Sequence, residues 1–596
     1  MSVLDRIERL RNVMEQQKVD CYIIPTDDYH HSEYVGDYFK FREYITGFTG
    51  SAGTAVFTKD KAGLWTDGRY FIQAEAQLKG SGITLYKSGE SDVPTIEEFL
   101  KSELKEGDVL GFDGRTVTYA QGKRYCHIAD ENGASLKYSL DFAQNIWKER
   151  PEMSMESVFS LADEYTGEKI GSKLERIREI MKENGCNAHV LSSLDDIAWL
   201  LNIRGNDIAY CPLVLSYAIV YNNSVELFAD IRKFSDDIIN LLAENQVKIY
   251  PYEGIYRKVS EMTSEDKLLL DSSIMNYSLY QAISKETVII DKQNPEILMK
   301  SVKNETQAEN LRKAHLKDAV AHTKFMYWLK KNIGRVEITE LSASARLEEL
   351  RAEQEHFLGP SFGPISAYGE HGAIVHYSAD EKSNVPLKEG KLFMTDTGGH
   401  YLEGSTDITR TVALGEVGNL EKEHFTLVAR AMLRLANTVF LYGCSGANLD
   451  CIAREVFWKE GLNFNHGTGH GVGYLLNIHE GPINFRWKEG ERPAPALEEN
   501  MVITDEPGIY IEGSHGIRLE NELLVRKTVK NEYGQFMNFE ILTYVPIDLD
   551  AILPEKMSTE EKEMLNHYHK QVYEKVSPYL SEEERIWLKE YTRAVK

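Results

Sequence analysis

The chain has 596 residues, of which 42% are hydrophobic and 10% aromatic, so it can bury large cores and is not a disordered protein. Its net charge of -25 argues against nucleic-acid binding, which requires a basic surface. At roughly 100–200 residues per domain, the length predicts three or four domains.

Several features bear on the compartment. The amino-terminal segment is charged and has no apolar stretch typical of a signal peptide, and no apolar run reaches the ~20 residues of a membrane helix. The six cysteines show no CxxC spacing, which favours reduced thiols. We therefore expect a cytoplasmic protein that binds neither nucleic acids nor membranes.

A helix followed by a strand opens the chain, and the same pair returns later. The helical segment IERL at 7–10 matches LERI at 174–177, and the strands that follow keep the same offset. The segment WTDGR at 65–69 likewise resembles FADIR at 228–232. Repeats of this length indicate two copies of one α/β domain and not a solenoid, whose repeats are far shorter.

These two domains are assigned to residues 1–158 and 159–295. A long helical pattern then begins at Glu296 and runs to about Lys331. Strands, Gly-rich turns and helices alternate beyond it, which gives a third domain at 296–546.

The last segment, residues 547–596, is predicted to be helical. Ser558 and Glu561 have the spacing of a capping box. One face of the helix that follows is apolar and needs a covering surface, either the third domain or a partner subunit. That face carries Leu565, Tyr568 and Val572.

Two carboxylates stand beside strands in the third domain. The segment 391–396 has the pattern of a buried strand that ends at Asp396, and a second strand begins at Asp407 after a turn rich in Gly and Thr. A buried carboxylate is costly unless it is paired, hydrogen-bonded or bound to a metal. From this stretch alone, a hairpin with two hydrogen-bonded Asp residues explains the pattern equally well.

A Gly-rich segment, HGTGHGVG at 466–473, carries two histidines. Gly at every second position allows close approach of the main chain, and the phosphate-loop pattern is lacking. His466 and His470 suggest one metal ligand and one substrate contact, with two structural His residues as the alternative. The segment that begins at His479 is not a zincin helix, because the second His of that motif is missing and Pro482 would break a helix.

Two more strand ends carry Glu506 and Glu520, so that the full set is Asp396, Asp407, His470, Glu506 and Glu520. Four carboxylates and one imidazole cannot share a site without cations, because their mutual repulsion would force protonation. Two divalent ions about 3.5–4 Å apart would satisfy them and could hold a bridging hydroxide. Oxygen-rich ligation favours Mn²⁺, and Co²⁺, Zn²⁺ or Fe²⁺ would also fit.

The catalytic half, from about residue 300 to 546, resembles the dinuclear metallopeptidases of creatinase ("pita-bread") fold, and among them the aminopeptidase P (Xaa-Pro aminopeptidase) family. The motifs that carry the resemblance are GAIVHYS (372–378), DTGGHYLEGSTDITRT (396–411), HGTGHGVG (466–473), HEGP (479–482), TDEPGIY (504–510) and GIRLEN (516–521). The duplicated amino-terminal half and the helical tail resemble the large, three-domain cytosolic form, which is typically a homodimer. The resemblance implies an α/β (α+β) chain with two creatinase-like N-terminal domains, a pita-bread catalytic domain and a helical C-terminal extension.

The resemblance also implies a role for each matched ligand. Asp396 would ligate one metal, and Asp407 and Glu520 would bridge both. His470 and Glu506 would bind one metal each. Glu506 would also orient or deprotonate the attacking water.

Other matched residues are implied to act on the substrate. His376, His466 and His479 would line its site, shuttle protons, hydrogen-bond the scissile carbonyl and stabilise the oxyanion. Arg69 would bind a carbonyl or carboxylate of the peptide with its planar fork. Because Arg232 shows the same Asp-x-Arg spacing in the second copy, a structural ion pair is the alternative at Arg69.

The implied activity is that of a metallo-aminopeptidase that removes the first residue from peptides with proline at position two. One rival is an enzyme of the same fold, either a prolidase-type dipeptidase or a metal-free creatinase. The length and the duplicated domains argue against the first, and the intact ligand set argues against the second. The other rival is a non-catalytic, peptide- or histone-binding relative, which we would expect to have lost ligands.

Overall fold

A computed structural model describes residues 1–488, 490 and 493–596 of the chain. It contains two compact units, one formed by residues 1–161 with 168–296 and the other by residues 162–167 with 297–596. Among the described helices, none combines the length and the apolar character needed to span a membrane.

The elements of the first 291 residues are short and alternate along the chain. The helices are α1 (Val3–Gln17), α2 (Phe41–Thr46), α3 (Phe71–Gln77), α4 (Ile96–Glu103), α5 (Tyr119–Glu131), α6 (Ala143–Ile146), α7 (Asp163–Thr166), α8 (Ile170–Glu183), α9 (Leu194–Leu200), α10 (Asp236–Glu244), α11 (Gly254–Ser260) and α12 (Tyr277–Ala282). The strands are β1 (Cys21–Pro25), β2 (Thr54–Thr58), β3 (Ala62–Thr66), β4 (Thr84–Lys87), β5 (Val109–Phe112), β6 (Ser135–Lys137), β7 (Phe159–Ser160), β8 (Ala188–Leu191), β9 (Ile203–Arg204), β10 (Tyr217–Tyr221), β11 (Val225–Phe228), β12 (Val247–Tyr250), β13 (Lys267–Leu270) and β14 (Val288–Asp291).

Two sheets of the first unit have the same strand order, β4-β3-β2-β1-β5-β6 in one and β12-β11-β10-β8-β13-β14 in the other. In each sheet, the strand that comes first along the chain, β1 or β8, pairs antiparallel with one neighbour and parallel with the other. The matching topology confirms the prediction of two copies of one α/β domain. The limits at residues 158, 295 and 546 stay predictions.

The second unit combines long helices with antiparallel sheets. Its helices are α13 (Pro295–Ser301), α14 (Glu305–Asn332), α15 (Glu340–Ala352), α16 (Asn419–Ala436), α17 (Gly446–Trp458), α18 (Thr559–Val576) and α19 (Glu582–Tyr591). Its strands are β15 (Phe357–Pro360), β16 (Ile365–Tyr368), β17 (Lys391–Thr397), β18 (Gly399–Tyr401), β19 (Gly404–Ser405), β20 (Ile408–Leu414), β21 (Phe440–Leu441), β22 (Gly469–Gly471), β23 (Glu480–Phe485), β24 (Val502–Asp505), β25 (Gly508–Ile511), β26 (His515–Arg518), β27 (Asn521–Asn531) and β28 (Gly534–Ile541).

Strand pairing in the second unit brings distant carboxylates together. β17 lies between β16 and β20, and Asp396 on β17 pairs with Thr409 on β20. β24 pairs antiparallel with β27, and the last residue of β24, Asp505, stands opposite the first residue of β27, Asn521. Glu506 and Glu520, each one residue outside this pair, are therefore neighbours.

The single helix predicted from Glu296 to about Lys331 is wrong, because the structure has two helices, α13 and α14. The side chain of Asn304 caps α14 by accepting a hydrogen bond from the Gln307 amide, which starts a new helix there. Just before it, the amide of Lys303 donates to the carbonyl of Asn500 instead of to a helical carbonyl, and its ammonium forms a buried ion pair with Glu480. Periodicity alone could not reveal this break, since the competing partners are distant in sequence.

The tail forms the predicted capping box at Ser558 and Glu561, and α18 follows it. Its apolar face joins the core of its own unit. Of the two surfaces considered as a cover for this face, the third domain or a partner subunit, the structure shows the one that belongs to the same chain. The buried residues of the face are Leu565, Tyr568 and Val572.

One residue of the tail is hydrogen-bonded to the strands that carry the acidic residues. The hydroxyl of Tyr568 donates to the carbonyl of Val545, at 2.6 Å, and accepts from Nη2 of Arg410, at 2.7 Å. The same guanidinium donates from Nη1 to the carbonyls of Thr409 and Glu520, at 2.8 and 2.6 Å. Arg410 therefore joins the tail to β20 and to the start of β27.

Candidate metal centre

Asp407, His470 and Glu520 come from three separate segments and offer ligand atoms that all lie within 4.8 Å of one another. Asp407 immediately precedes β20, Glu520 immediately precedes β27, and His470 lies in β22. Both carboxylates are buried, and the imidazole is partly exposed. The structure therefore brings together three of the five residues that the sequence nominates as ligands.

Glu506 is the fourth residue of the group. Nε2 of His470 lies 3.8 Å from Oε1 of Glu506 and 3.5 Å from Oδ2 of Asp407. Nδ1 of His470 lies 2.9 Å from the carbonyl of Gly471, an atom that can only accept, so Nδ1 donates to it and Nε2 is the nitrogen directed at the carboxylates. With a metal bound, Nε2 would be the ligand atom and the Nδ1 bond would orient the ring.

Asp396, the fifth residue, is held by a cation. Arg518 donates to Oδ2 of Asp396 from Nε, at 3.1 Å, and also from Nη2. The other oxygen, Oδ1, is buried and has no hydrogen-bond partner within residues 1–488, 490 and 493–596. A buried carboxylate oxygen without a donor is costly, and a bound cation would remove that cost.

The pKa values of the acidic residues also favour a bound cation. Burial, with the neighbouring charges of Asp396 and Glu522, raises the pKa of Asp407 well above its usual range. Burial also raises the pKa of Glu520, with Asp407 and Glu506 adding to the effect, and it raises the pKa of Glu506 to about 7. A divalent cation would relieve this repulsion, and carboxylate oxygens with one imidazole are suitable donors for it. The residues present fit divalent metal ions.

Two glycines allow these segments to pack closely. A Cβ on Gly469 would overlap the carbonyl of Thr504, and a Cβ on Gly471 would overlap the carbonyl of Glu480. Only glycine at these positions lets β22 lie against both of these neighbouring segments. The Gly-rich pattern therefore sets the position of His470 between them.

The three predicted substrate histidines are placed as follows. The ring of His479 lies 4.3 Å from that of His470, centroid to centroid. Nδ1 of His466 donates to the carbonyl of Gly467, at 2.7 Å, so Nε2 accepts from the hydroxyl of Tyr510, at 2.9 Å. Burial, with the charge of Arg518, holds the pKa of His466 well below its usual range, which keeps the ring neutral.

His376 is tied to the same surroundings through its neighbour in the chain. The carbonyl of Val375 accepts from Nη2 of Arg518, at 3.3 Å, and His376 is close enough to contribute to lowering the pKa of His466. Both observations place His376 on the side of the centre occupied by Arg518.

Arg69 belongs to the first unit, where it is paired with Asp67. Nε and Nη2 of Arg69 donate to the two oxygens of Asp67, each at 2.8 Å. Arg232 pairs with Asp230 in the same way, with an Nε distance of 2.9 Å. The two copies therefore share this ion pair, and Arg69 is the less exposed of the two arginines, with 32% of its side chain accessible against 73%.

Three residues at the centre have no assigned role in the sequence-based interpretation. Arg518 and Tyr510 lie inside the quoted motifs and form a hydrogen bond of 2.6 Å with each other. Glu522 lies two residues beyond Glu520, and its carboxylate accepts from the amide of Asp407. A buried cation beside several acids could be expected from charge balance, whereas the Glu522 contact depends on strand placement that the sequence does not reveal.

Known protein families match successive parts of this chain. The creatinase/prolidase N-terminal domain matches residues 6–137, and a second version of that domain matches residues 149–307. Metallopeptidase family M24 matches residues 309–527, and the C-terminal region of peptidase M24 matches residues 535–595.

Individual proteins match over different lengths. The chain is 36% identical to Xaa-Pro aminopeptidase 1 of Dictyostelium discoideum, over 97% of this chain and 94% of that protein. The X-prolyl aminopeptidase from Caenorhabditis elegans, described as a cytosolic enzyme with a di-nuclear active site, is 34% identical in sequence, and its crystal structure matches with a TM-score of 0.95 and full coverage of both chains. The Xaa-Pro dipeptidase from Bacillus anthracis is 25% identical with a TM-score of 0.51, and it covers 64% of this chain and 99% of its own.

Proposed function

This chain belongs to metallopeptidase family M24, and from that membership we propose that it removes the N-terminal residue from peptides whose second residue is proline. The observation that carries the proposal is the full-length likeness to X-prolyl aminopeptidases, because the dipeptidase relative covers only 64% of the chain. The X-Pro amide has no N–H and its φ is fixed, so a site must be shaped for it. A prolidase-type activity is the alternative that the test below separates.

The proposed ligands of two divalent ions are Asp396, Asp407, His470, Glu506 and Glu520. Support comes from the convergence of Asp407, His470 and Glu520 and from the raised pKa values of the buried carboxylates. When bound, such ions polarise the scissile carbonyl and activate a water molecule. The oxygen-rich donor set favours Mn²⁺.

The protein's own groups would orient and move protons. Glu506 would accept a proton from the attacking water, with His470 beside it at 3.8 Å. His376 and His479 would hydrogen-bond the scissile carbonyl and pass a proton to the leaving nitrogen of proline. That nitrogen must gain a proton as the C–N bond breaks, because an amide nitrogen leaves as an amine.

His466 has a more indirect place in this scheme. Its Nδ1 proton is committed to Gly467 and its Nε2 lone pair to the hydroxyl of Tyr510. Tyr510 in turn accepts from Nη1 of Arg518. We therefore expect His466 to act through the Tyr510 hydroxyl, unless a bound peptide displaces it.

Two further proposals rest on resemblance. We propose a cytoplasmic location, in line with the C. elegans enzyme, which is described as cytosolic. We also propose a homodimer, as is typical of the large form of the aminopeptidase P family. The apolar face of α18 no longer supports the dimer, since its own unit covers that face. Sedimentation of the full chain would decide the oligomeric state.

The test of function combines metal analysis with three substrates. We expect about two divalent ions per chain, rapid release of the first residue from Xaa-Pro-Yaa, and little cleavage of Xaa-Ala-Yaa. Cleavage restricted to the dipeptide Xaa-Pro would indicate a prolidase. Bound metal without cleavage of any of the three would indicate a non-catalytic peptide-binding relative.

A further inference from the structure

The amide of Asp407 is bonded in an unusual way for a residue at the start of a strand. It donates to a side chain, Oε1 of Glu522, at 2.7 Å, and not to a main-chain carbonyl. Both residues are buried, so this amide has no water to replace a lost acceptor. The position of the Asp407 main chain therefore depends on where the Glu522 carboxylate lies.

Glu522 lies between a helix and the sheet. Its second oxygen, Oε2, lies 3.1 Å from Nε2 of His315 on α14 without the geometry of a hydrogen bond, and both side chains are fully buried. Its amide donates to the hydroxyl of Thr543, at 2.9 Å. In β27 it stands opposite Thr504 of β24, the strand that leads to Glu506. The main chain of Glu522 is thus fixed by the sheet, and its side chain is packed against α14.

A carboxylate at this place has an electrostatic cost. The carboxylate of Glu522 accepts the amide of Asp407 and so lies near a second buried carboxylate, which its negative charge repels. A neutral residue would avoid that repulsion. Glu522 is also outside the group of three side chains that converge within 4.8 Å. What it provides instead is an acceptor for one amide, that of Asp407.

We infer that Glu522 is a positioning residue for Asp407. The inference rests on the proposed role of Asp407 as a metal ligand. Hydrogen-bond partners of metal ligands orient those ligands, and their loss typically weakens metal binding by about 10- to 100-fold. We expect loss of the bond between the Asp407 amide and Glu522 to weaken metal binding and to slow turnover, in addition to any effect on stability.

A second buried carboxylate accepts a main-chain amide of β20 and offers a matched control. Asp548 is also buried, accepts the amide of Ala413 at the far end of β20, at 2.8 Å, and pairs with Lys330. Asp548→Ala thus removes the same kind of bond from β20, away from the proposed ligands. Glu522→Gln keeps an acceptor oxygen for the Asp407 amide and serves as the conservative variant.

The experiment titrates Mn²⁺ into the metal-free full-length proteins in competition with a chelator, and it records the melting temperature with and without Mn²⁺. We expect Glu522→Ala to weaken Mn²⁺ binding by about tenfold or more, to reduce the gain in melting temperature on adding Mn²⁺, and to lower kcat more than it raises KM. Glu522→Gln should recover most of the affinity. Asp548→Ala should lower the melting temperature with and without Mn²⁺ by equal amounts and leave the affinity unchanged.

Three results would overturn the inference. If Glu522→Ala keeps wild-type affinity, or behaves like Asp548→Ala, Glu522 is structural only. If Glu522→Gln loses as much affinity as Glu522→Ala, its charge matters and not its acceptor role. If the wild-type protein binds no Mn²⁺ or other divalent metal, the proposed function fails as well, so the two failures are distinguishable.

Discussion

Arg518 donates two hydrogen bonds to a single oxygen of Asp396 and leaves the other oxygen of that carboxylate without a donor in the described part of the chain. A guanidinium fork normally binds both oxygens of a carboxylate. Here Nη1 is directed to the hydroxyl of Tyr510 instead. The one-sided pairing neutralises Asp396 and keeps Oδ1 available, which agrees with the proposed role of Asp396 as a ligand.

Asp407→Asn should lose bound metal and peptidase activity together. A carboxylate that bridges two ions contributes to the binding of both, and an amide is a weaker ligand. Metal content measured after dialysis, alongside hydrolysis of Xaa-Pro-Yaa, checks this. Full activity with two ions still bound would refute the bridging role.

His376→Ala should leave the metal content unchanged and lower kcat by about 10²–10⁴, the usual contribution of a positioned proton donor or acceptor. The exposed His567 on α18 provides a control, since its replacement by Ala should change neither quantity. If His376→Ala loses metal, the residue is a ligand or a structural support for one.

Arg69→Ala should lower kcat/KM by about tenfold or more without lowering the melting temperature, if Arg69 binds the peptide as the resemblance implies. Arg232→Ala is the matched control, because it removes the same ion pair with an Asp two residues earlier. We expect that variant to change stability at most. Equal behaviour of the two variants would assign both arginines to the scaffold.

Acid should weaken the attachment of the tail through His569. Burial, with the charge of Arg410, lowers the pKa of this fully buried ring to about 3, and its Nε2 accepts the amide of Ile547. The unfolded chain takes up a proton below about pH 6.5 while the folded chain does not, so folding stability falls as the pH drops from there towards 3.

The expected slope is about 1.4 kcal/mol of unfolding free energy per pH unit for this one group. His569→Gln keeps an acceptor for the Ile547 amide and cannot ionise. The unfolding free energy of this variant should therefore decrease less steeply with falling pH, by about 1.4 kcal/mol per pH unit. Denaturant unfolding at pH 7.5, 6 and 5 measures both proteins. Parallel pH profiles would show that His569 ionises normally in the folded state.

The sequence predicts those features that depend on neighbours in the chain. The strand that carries Asp396, the strand that leads to Glu506, the capping box at Ser558 and the duplicated α/β domain all follow from local patterns or from repetition. What escapes prediction depends on partners far apart. The helix break before Asn304 is an example, because Lys303 bonds to Asn500 and Glu480.

The same limit applies within the candidate site. Its acidic residues could be nominated because they stand at strand ends in recognisable motifs. The bonds from Arg518 to Asp396 and from the Asp407 amide to Glu522 join residues more than a hundred positions apart. Only the packed strands determine which of several acids is paired with a cation, which one accepts an amide and which ones remain available to a metal.

The bond between Tyr568 and Arg410 has a consequence for how the protein is made. Every proposed ligand is synthesised by residue 520, yet the hydroxyl that joins the Arg410 guanidinium arrives 48 residues later, near the carboxyl end. Chains emerge from the ribosome amino terminus first. A nascent chain that stopped before Tyr568 would therefore carry all five proposed ligands while Arg410 still lacked this hydrogen bond, so the support from the tail is added only after the residues of the centre have been made.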